Sequence, residues 1–434
     1  MDYLSANKIA IIDLASGEVA EDELNDDLVA AKIGGAGITL ALYEQYKDED
    51  PLVLGAGLLT GTQVPGASCA VLTGVSPLTG QVAHAPLNLY AGMELKYSGF
   101  DYLVIKGKAA APTYLWVHDG IADVEDAASL WGKDVWSATQ EVRKTMGDEM
   151  IQVLAAGPAA ERGSDLAQVM LNFWGSGDRF GFGKKFAEKN LKLIAVRGMG
   201  LLELDDAEAM MEQCLALSAV VKAGAWAGKK GLGDLAAGAG EAGLAGWLSP
   251  LVHRHRSDFN TPFAANTFLM LDGDPAGRTE PAVAEPGVLI TDLAAAVGFM
   301  KLGLDVKAAG EIMQECAKQG LDAAAVAQVA AREGLTDPAA LKAALATITG
   351  PVDGLTSPFS PWAPAAPVFG DFGASGEDWW KRRMAVAYIF GINPVFAVIS
   401  PEVSEEKLLE LANLGTGMEF TAETLDGVVS SLTA

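Results

Sequence analysis

The chain has 434 residues, half of them hydrophobic, and a formal net charge of −25. That length accommodates two or three domains with real cores, and the apolar content excludes a disordered or purely solvating protein. The acidic balance excludes nucleic acid, whose phosphates need clustered Lys and Arg, and it disfavours an anionic membrane surface.

No apolar run reaches the roughly 18 residues that span a bilayer. The first residues pass directly into an alternating pattern, without the basic and apolar regions of a secretory leader, so a cytoplasmic location is the expectation. Cys69, Cys214 and Cys316 are widely separated and no C-x-x-C exists. Local spacing therefore writes neither a zinc ribbon nor a ferredoxin-type cluster, and the three thiols read as buried and reduced.

In chain order, 8–14 alternates as a strand, and Ser16-Gly17-Glu18 turns it into a hairpin. A helix is predicted from Asn25 or Asp26 through 29–32 towards Tyr46. Residues 51–54, 70–73, 102–106, 114–117 and 193–196 read as short strands bounded by Gly, Pro or Asp, with helical spacing at 136–147. After Leu204 the texture changes. Residues 205–251 are Ala/Gly-rich with helical spacing, and their glycines leave these helices dependent on packing. Residues 290–320 and 322–348 read as helices, with Asp337-Pro338 as a helix start. Residues 350–376 read as a Pro-rich loop or linker. Helical segments follow at 377–388, 404–414 and 421–432. The fold class expected is α+β: a β-rich, two-sheet domain over residues 1–203, then mostly helical domains over 204–434.

Seven segments of the first half share their order and spacing with one known family. They are Gly34-Gly35-Ala36-Gly37, Gly61-Thr62-Gln63-Val64-Pro65, Ser76-Pro77-Leu78-Thr79-Gly80, 92–101, Ile105-Lys106-Gly107-Lys108, Ala156-Gly157-Pro158-Ala159 and 188–198. On these the chain resembles the tungsten-containing aldehyde:ferredoxin oxidoreductase family. Further on, Leu302-Gly303-Leu304-Asp305 resembles one of that family's two D-x-x-G-L-[CD] pterin elements. Tyr388-Ile-Phe-Gly391-Ile392-Asn393 resembles a remnant of the second.

The resemblance implies aldehyde oxidation at tungsten or molybdenum held by two pterins, with electrons leaving through a [4Fe–4S] cluster. It also implies a two-sheet base beneath helical domains. The departures are as informative. The family's C-x-x-C-x-x-x-C is missing, and Asn393 stands at its fourth cluster cysteine; an Asn does not replace a thiolate on iron. Ser68 stands where the family has an Arg beside the pterin, and Pro86 where it has an Asn. Met300 and Tyr388 replace the leading Asp of the two elements. The segment carrying a His near the metal is reduced to 351–376, which holds no His. Arg179, Gly181 and Gly183 are retained, while Phe180 and Phe182 crowd a stretch that is Gly-richer in the family.

Ser68, Arg179, Gly181, Gly183, Gly303, Leu304, Asp305 and Asn393 are therefore the candidate cofactor-facing positions; no catalytic residue and no metal ligand is assigned. His253-Arg254-His255-Arg256 reads as an exposed helix–loop junction, with an anion site or zinc as alternatives. His84 reads as a structural histidine, and Trp379-Trp380 as indoles docking an amphipathic helix. Two functions follow. One is a degenerate, non-catalytic subunit of a redox system without cofactor or iron–sulfur cluster. The other is an oxidoreductase subunit still binding a tungsten or molybdenum bis-pterin, acting on an aldehyde or related carbonyl and passing electrons through a partner. A redox protein partner or a homo-oligomer is expected in either case. With the cysteines missing, the purified protein is expected to be colourless; about four irons per chain and a broad visible shoulder from sulfide charge transfer would contradict this.

Overall fold

The computed structural model describes residues 3–272, 286–350 and 377–433, so the reading of 351–376 as a linker lies outside the described residues. The first sheet unit contains β1 (Lys8–Asp13), β2 (Glu18–Glu23), α1 (Asp26–Lys32), α2 (Gly35–Tyr46), β3 (Leu52–Ala56), β4 (Ala70–Val75), β5 (Val82–Leu87), α3 (Ala91–Tyr97) and β6 (Tyr102–Lys106). The second contains β7 (Thr113–His118), β8 (Ile121–Asp126), α4 (Val135–Met146), β9 (Gln152–Ala155), α5 (Pro158–Glu161), β10 (Met170–Leu171), β11 (Trp174–Gly175), α6 (Phe182–Glu188) and β12 (Leu191–Arg197).

The two six-stranded sheets have one topology. Their orders are β2-β1-β6-β3-β4-β5 and β8-β7-β12-β9-β10-β11. In each, a hairpin opens the unit and a helix returns the last strand parallel to the first, β6 on β1 and β12 on β7. Central strands β3, β9 and the first six residues of β12 are buried on both faces and are mostly apolar, with Gln152 and Lys192 as the polar exceptions. The outer strand β2, Glu-Val-Ala-Glu-Asp-Glu, is almost wholly exposed, and its carboxylates blunt an open edge. Sequence follows topology: 53–71 and 153–171 align without a gap, so that Val53, Gly57 and Ala67 fall on Val153, Gly157 and Ala167.

The remaining elements are α7 (Ala207–Ala223), α8 (Gly231–Gly238), α9 (Gly243–Leu248), a three-stranded sheet of β13 (Val252–Arg256), β14 (Asn266–Met270) and β15 (Gly287–Ile290), then α10 (Leu293–Lys301), α11 (Val306–Gln319), α12 (Ala323–Glu333), α13 (Pro338–Ala344), α14 (Glu377–Phe390), α15 (Pro394–Ile399), α16 (Glu405–Thr416) and α17 (Ala422–Thr433). The α+β architecture, two sheets followed by mostly helical regions, is as the sequence predicts. No helix among the described residues is long and apolar enough to cross a membrane.

Three local readings are corrected. The helix of 25–46 is two helices, because Ile33 takes φ 66° and Gly35 brings its backbone against the Tyr388 carbonyl. The span 290–320 ends strand β15 and then divides into α10 and α11. Asp292 caps the first helix, and Gly303 at φ 79° breaks the run before Asp305 caps the second. His253–Arg256 lie on the edge strand β13, where Arg254 and Arg256 sit over the rings of Phe268 and Tyr90.

Helical half and sheet units meet backbone to backbone. Ala67 bridges Ile392, and the equivalent Ala167 bridges Leu321. The Asn393 amide donates to the Gly66 carbonyl (2.7 Å) and the Asp322 amide to the equivalent Leu166 carbonyl (2.9 Å). A Cβ on Gly57 would lie 2.1 Å from the Gly391 Cα, and one on Gly157 would lie 2.3 Å from the Gln319 oxygen. No side chain fits either contact. Gly157→Ala is therefore expected to cost about 3 kcal/mol in urea unfolding. Gly243→Ala, which meets nothing within 4 Å, serves as the neutral control; equal effects of the two would contradict this packing.

Candidate cofactor-facing site

The duplication defines two equivalent sites, each where a sheet unit meets a Gly-apolar-polar turn of the helical half. In the second unit the turn is Gly320-Leu321-Asp322. Asp322 caps α12 by accepting from the Ala324 and Ala325 amides. Its other oxygen lies 3.5 Å from Arg179, whose guanidinium also pairs closely with Asp292, the cap of α10. Arg179, Asp178 and Asp322 are all buried. Asp178 organises the loop before α6, accepting from the amides of Val169 (2.9 Å), Phe180 (2.9 Å), Phe182 (3.4 Å) and Gly183 (3.2 Å). Burial pushes its carboxyl up to about 6 against those amides, and burial likewise raises Asp292.

In the first unit the turn is Gly391-Ile392-Asn393. Asn393 caps α15 through the Phe396 amide (3.0 Å) and donates its side-chain amide to Asp258. Asp258 also accepts from Asn266 at 2.9 Å, and burial raises its pKa. Asn88 precedes α3 by the same step as Arg179 precedes α6, and Ser68 falls on Gln168. The side-chain oxygens of Ser68, Asn88 and Gln168 are buried without a hydrogen-bond partner in the structure.

Among the predicted positions, the structure brings Ser68 and Asn393 to the first site and Arg179, Gly181 and Gly183 to the second. Gly181, at φ 77°, packs on Pro77 and Leu78, and Gly183 on the Gln168 backbone. Gly303, Leu304 and Asp305 are not brought there. They follow the far end of α10, about 13 Å along that helix from Asp292, with Gly303 and Asp305 exposed. Asp305 caps α11, and the Leu304 carbonyl accepts from Trp247. Residues missed in the sequence are Asn88, Gln168, Asp258, Asp292 and the turn 320–322. The last carries the same Gly-Leu-Asp triplet as 303–305, and the alignment of 53–71 with 153–171 distinguishes the two. Pro86 lies on β5 with its oxygen against Gly177. His84 is buried beside Thr73 (2.9 Å), and burial lowers it to about 4, so it is neutral at ordinary pH. The three cysteines are buried and free, burial holds their thiols protonated, and no cluster of metal-ligating side chains exists among the described residues.

Around Arg179, the described residues do not fit a bis-pterin. The cavity beside Arg179 is about 40 Å³ and the one beside Gly181 about 20 Å³, whereas ligands of that size take roughly 300 Å³ or more. The one retained cation is already paired, and carboxylates face the space a phosphate would enter. The unpartnered oxygens suit small polar occupants such as water. Arg179→Gln is expected to cost about 3–5 kcal/mol, because Asp292 and Asp322 lose their buried counter-ion. Asp292, already raised, would rise further above its unfolded value. The folded state then gains stability by keeping a proton, and loses it as pH rises through the folded pKa. Urea midpoints should therefore differ from wild type more at about pH 8 than at about pH 5; equal deficits would contradict the pairing.

The comparisons with known proteins agree with this fold. A profile of the family "Aldehyde ferredoxin oxidoreductase, N-terminal domain" matches residues 9–198. A tungsten-containing aldehyde ferredoxin oxidoreductase of Pyrococcus abyssi is 35% identical over 213 residues, covering 47% of this chain and 35% of that protein. The WOR-like subunit of an aliphatic sulfonate oxidoreductase of Pyrococcus furiosus is 29% identical over 232 residues, covering 48% and 37%. The chain thus matches about a third of the length of these curated relatives. A solved chain of the active-site complex BamBC of benzoyl coenzyme A reductase, with 1,5-dienoyl-CoA, superposes with TM-score 0.62 at 20% identity over 88% of this chain and 64% of that one, a likeness of fold. Residues 9–198, with their duplicated sheet and Gly-rich turns, thus match the N-terminal domain of the aldehyde ferredoxin oxidoreductase family.

Proposed function

We propose that this chain is a non-catalytic, cofactor-free subunit of a redox assembly, located in the cytoplasm and built on the fold of aldehyde ferredoxin oxidoreductases. The observation that carries this is the pairing of Arg179 with Asp292 and Asp322 around a cavity of about 40 Å³. Fold-level kinship does not transfer activity when charge and space at the site have changed. One relative is named as a subunit, and the solved chain of similar fold comes from an active-site complex, which supports an assembly partner for this chain as well. No iron–sulfur cluster is part of the proposal, since Asn393 is committed to Asp258 and the free cysteines are dispersed.

A second reading is a subunit that still binds a tungsten or molybdenum bis-pterin, as the tungsten-containing relatives suggest. It draws on the unpartnered oxygens of Ser68, Asn88 and Gln168 at the two equivalent sites. Metal analysis of protein purified from tungstate- and molybdate-fed cells separates the two. Our reading expects far less than one tungsten or molybdenum per chain and no fluorescent pterin after oxidation. One metal with two pterins per chain would overturn it.

A further inference from the structure

Between the segment that leaves β12 and the first turns of α7 lies a groove of about 340 Å³, unlike the closed sites above. Its floor is Tyr97, Met210 and Cys214, and its walls are Leu201, Leu202 and Met211. The surrounding surface is unusually apolar for one facing solvent: Leu201 is 92% exposed, Met199 77%, Leu215 65% and Met211 42%. Contiguous exposed apolar surface of this kind marks contact sites. Unbranched, polarisable methionines adapt such a surface to an incoming side chain. Two hydroxyls lining the groove are already engaged, the Tyr97 hydroxyl donating to the Gly61 carbonyl and the Thr62 hydroxyl to the Leu59 carbonyl.

The rim has one sign of charge. Glu203, Asp205, Asp206, Glu208 and Glu212 are all exposed, and residues 199–215 contain no Lys or Arg. The neighbouring Lys407 is held by Glu410 and Gln213. An acidic rim around an apolar trough is complementary to a helix with one apolar face and Lys or Arg beside it. It opposes two other occupants. A second copy docking by the same face would set carboxylates against carboxylates, and an anionic lipid surface would be repelled.

We propose that the groove between residues 199–204 and α7 receives a basic amphipathic helix of a partner chain. This rests on the reading of the protein as a subunit, and the helix would be its point of attachment. The test titrates a labelled peptide with Leu at helical i, i+3, i+4 and i+7 positions and Lys elsewhere against the full chain, by fluorescence anisotropy at low and high salt. Binding is expected to weaken roughly tenfold or more in Leu201→Ser with Met211→Ser. Glu208→Gln with Glu212→Gln should weaken it at low salt and flatten its salt dependence. These side chains are exposed, so the variants should keep the wild-type circular dichroism and unfolding midpoint. Three outcomes would overturn the proposal: unchanged binding in the Leu201/Met211 variant, equal binding of a Lys peptide whose Leu are replaced by Ser, or a wild-type dimer that the same variant converts to monomer. None of them depends on metal content, so failure here leaves the cofactor-free reading standing.

Discussion

The guanidinium of Arg179 is buried between two carboxylates. Arg179 leaves the second sheet unit just before α6 and is met by Asp292 and Asp322, which begin α10 and α12. Each carboxylate also caps its helix, so the charges are fixed by the backbone around them. Such a pair adds little net stability over an apolar filling, but losing one partner is costly. It therefore acts as a constraint. Arg179 cannot turn to a phosphate while two carboxylates hold it, and the helices carrying them cannot withdraw without stranding a buried charge. Asn393, Asp258 and Asn266 form the corresponding knot at the other site, with amides rather than a guanidinium bonded to the carboxylate.

The two knots occupy equivalent places because the sheet unit is duplicated. Backbone contacts have persisted in both copies: Gly57 against Gly391, Gly157 against Gly320, and the bridges of Ala67 and Ala167. Side-chain chemistry at the same junctions has diverged, with Ser68 against Gln168, Asn88 against Arg179 and Asn393 against Asp322. Close approach of backbones restricts a position to glycine whatever is bound nearby, whereas a polar side chain stays only while its partner does. Kinship in fold can thus coexist with a changed interior.

Much of the fold was legible locally. The strand of 102–106, the cap at Asn25 and the start at Asp337-Pro338 each follow from propensity or capping within a few residues. What was not legible depends on distant partners. Val252–Arg256 lacks apolar alternation and becomes a strand only because β14 supplies its ladder. Ile33 takes a positive φ where α1 gives way to α2, whose Gly35 lies against the Tyr388 carbonyl of α14. The candidate site was half legible. Arg179 and Asn393 were found from short motifs, but their partners Asp292 and Asp258 lie more than a hundred residues away. The triplets at 303–305 and 320–322 are alike in sequence, and only contact with the second sheet unit separates them.

The most direct test of the central claim removes the two carboxylates while keeping their caps, because Asn caps a helix about as well as Asp. In Asp292→Asn with Asp322→Asn, Arg179 would be a buried cation without either of its two paired carboxylates, with Asp178 alone left nearby. Thermal unfolding with increasing inorganic phosphate, against chloride at equal ionic strength, measures whether an anion then enters. A phosphate-dependent rise in Tm is expected for the double variant and none for the wild type. A wild-type protein already stabilised by phosphate, or a double variant indifferent to it, would contradict the claim that this ion pair closes the site.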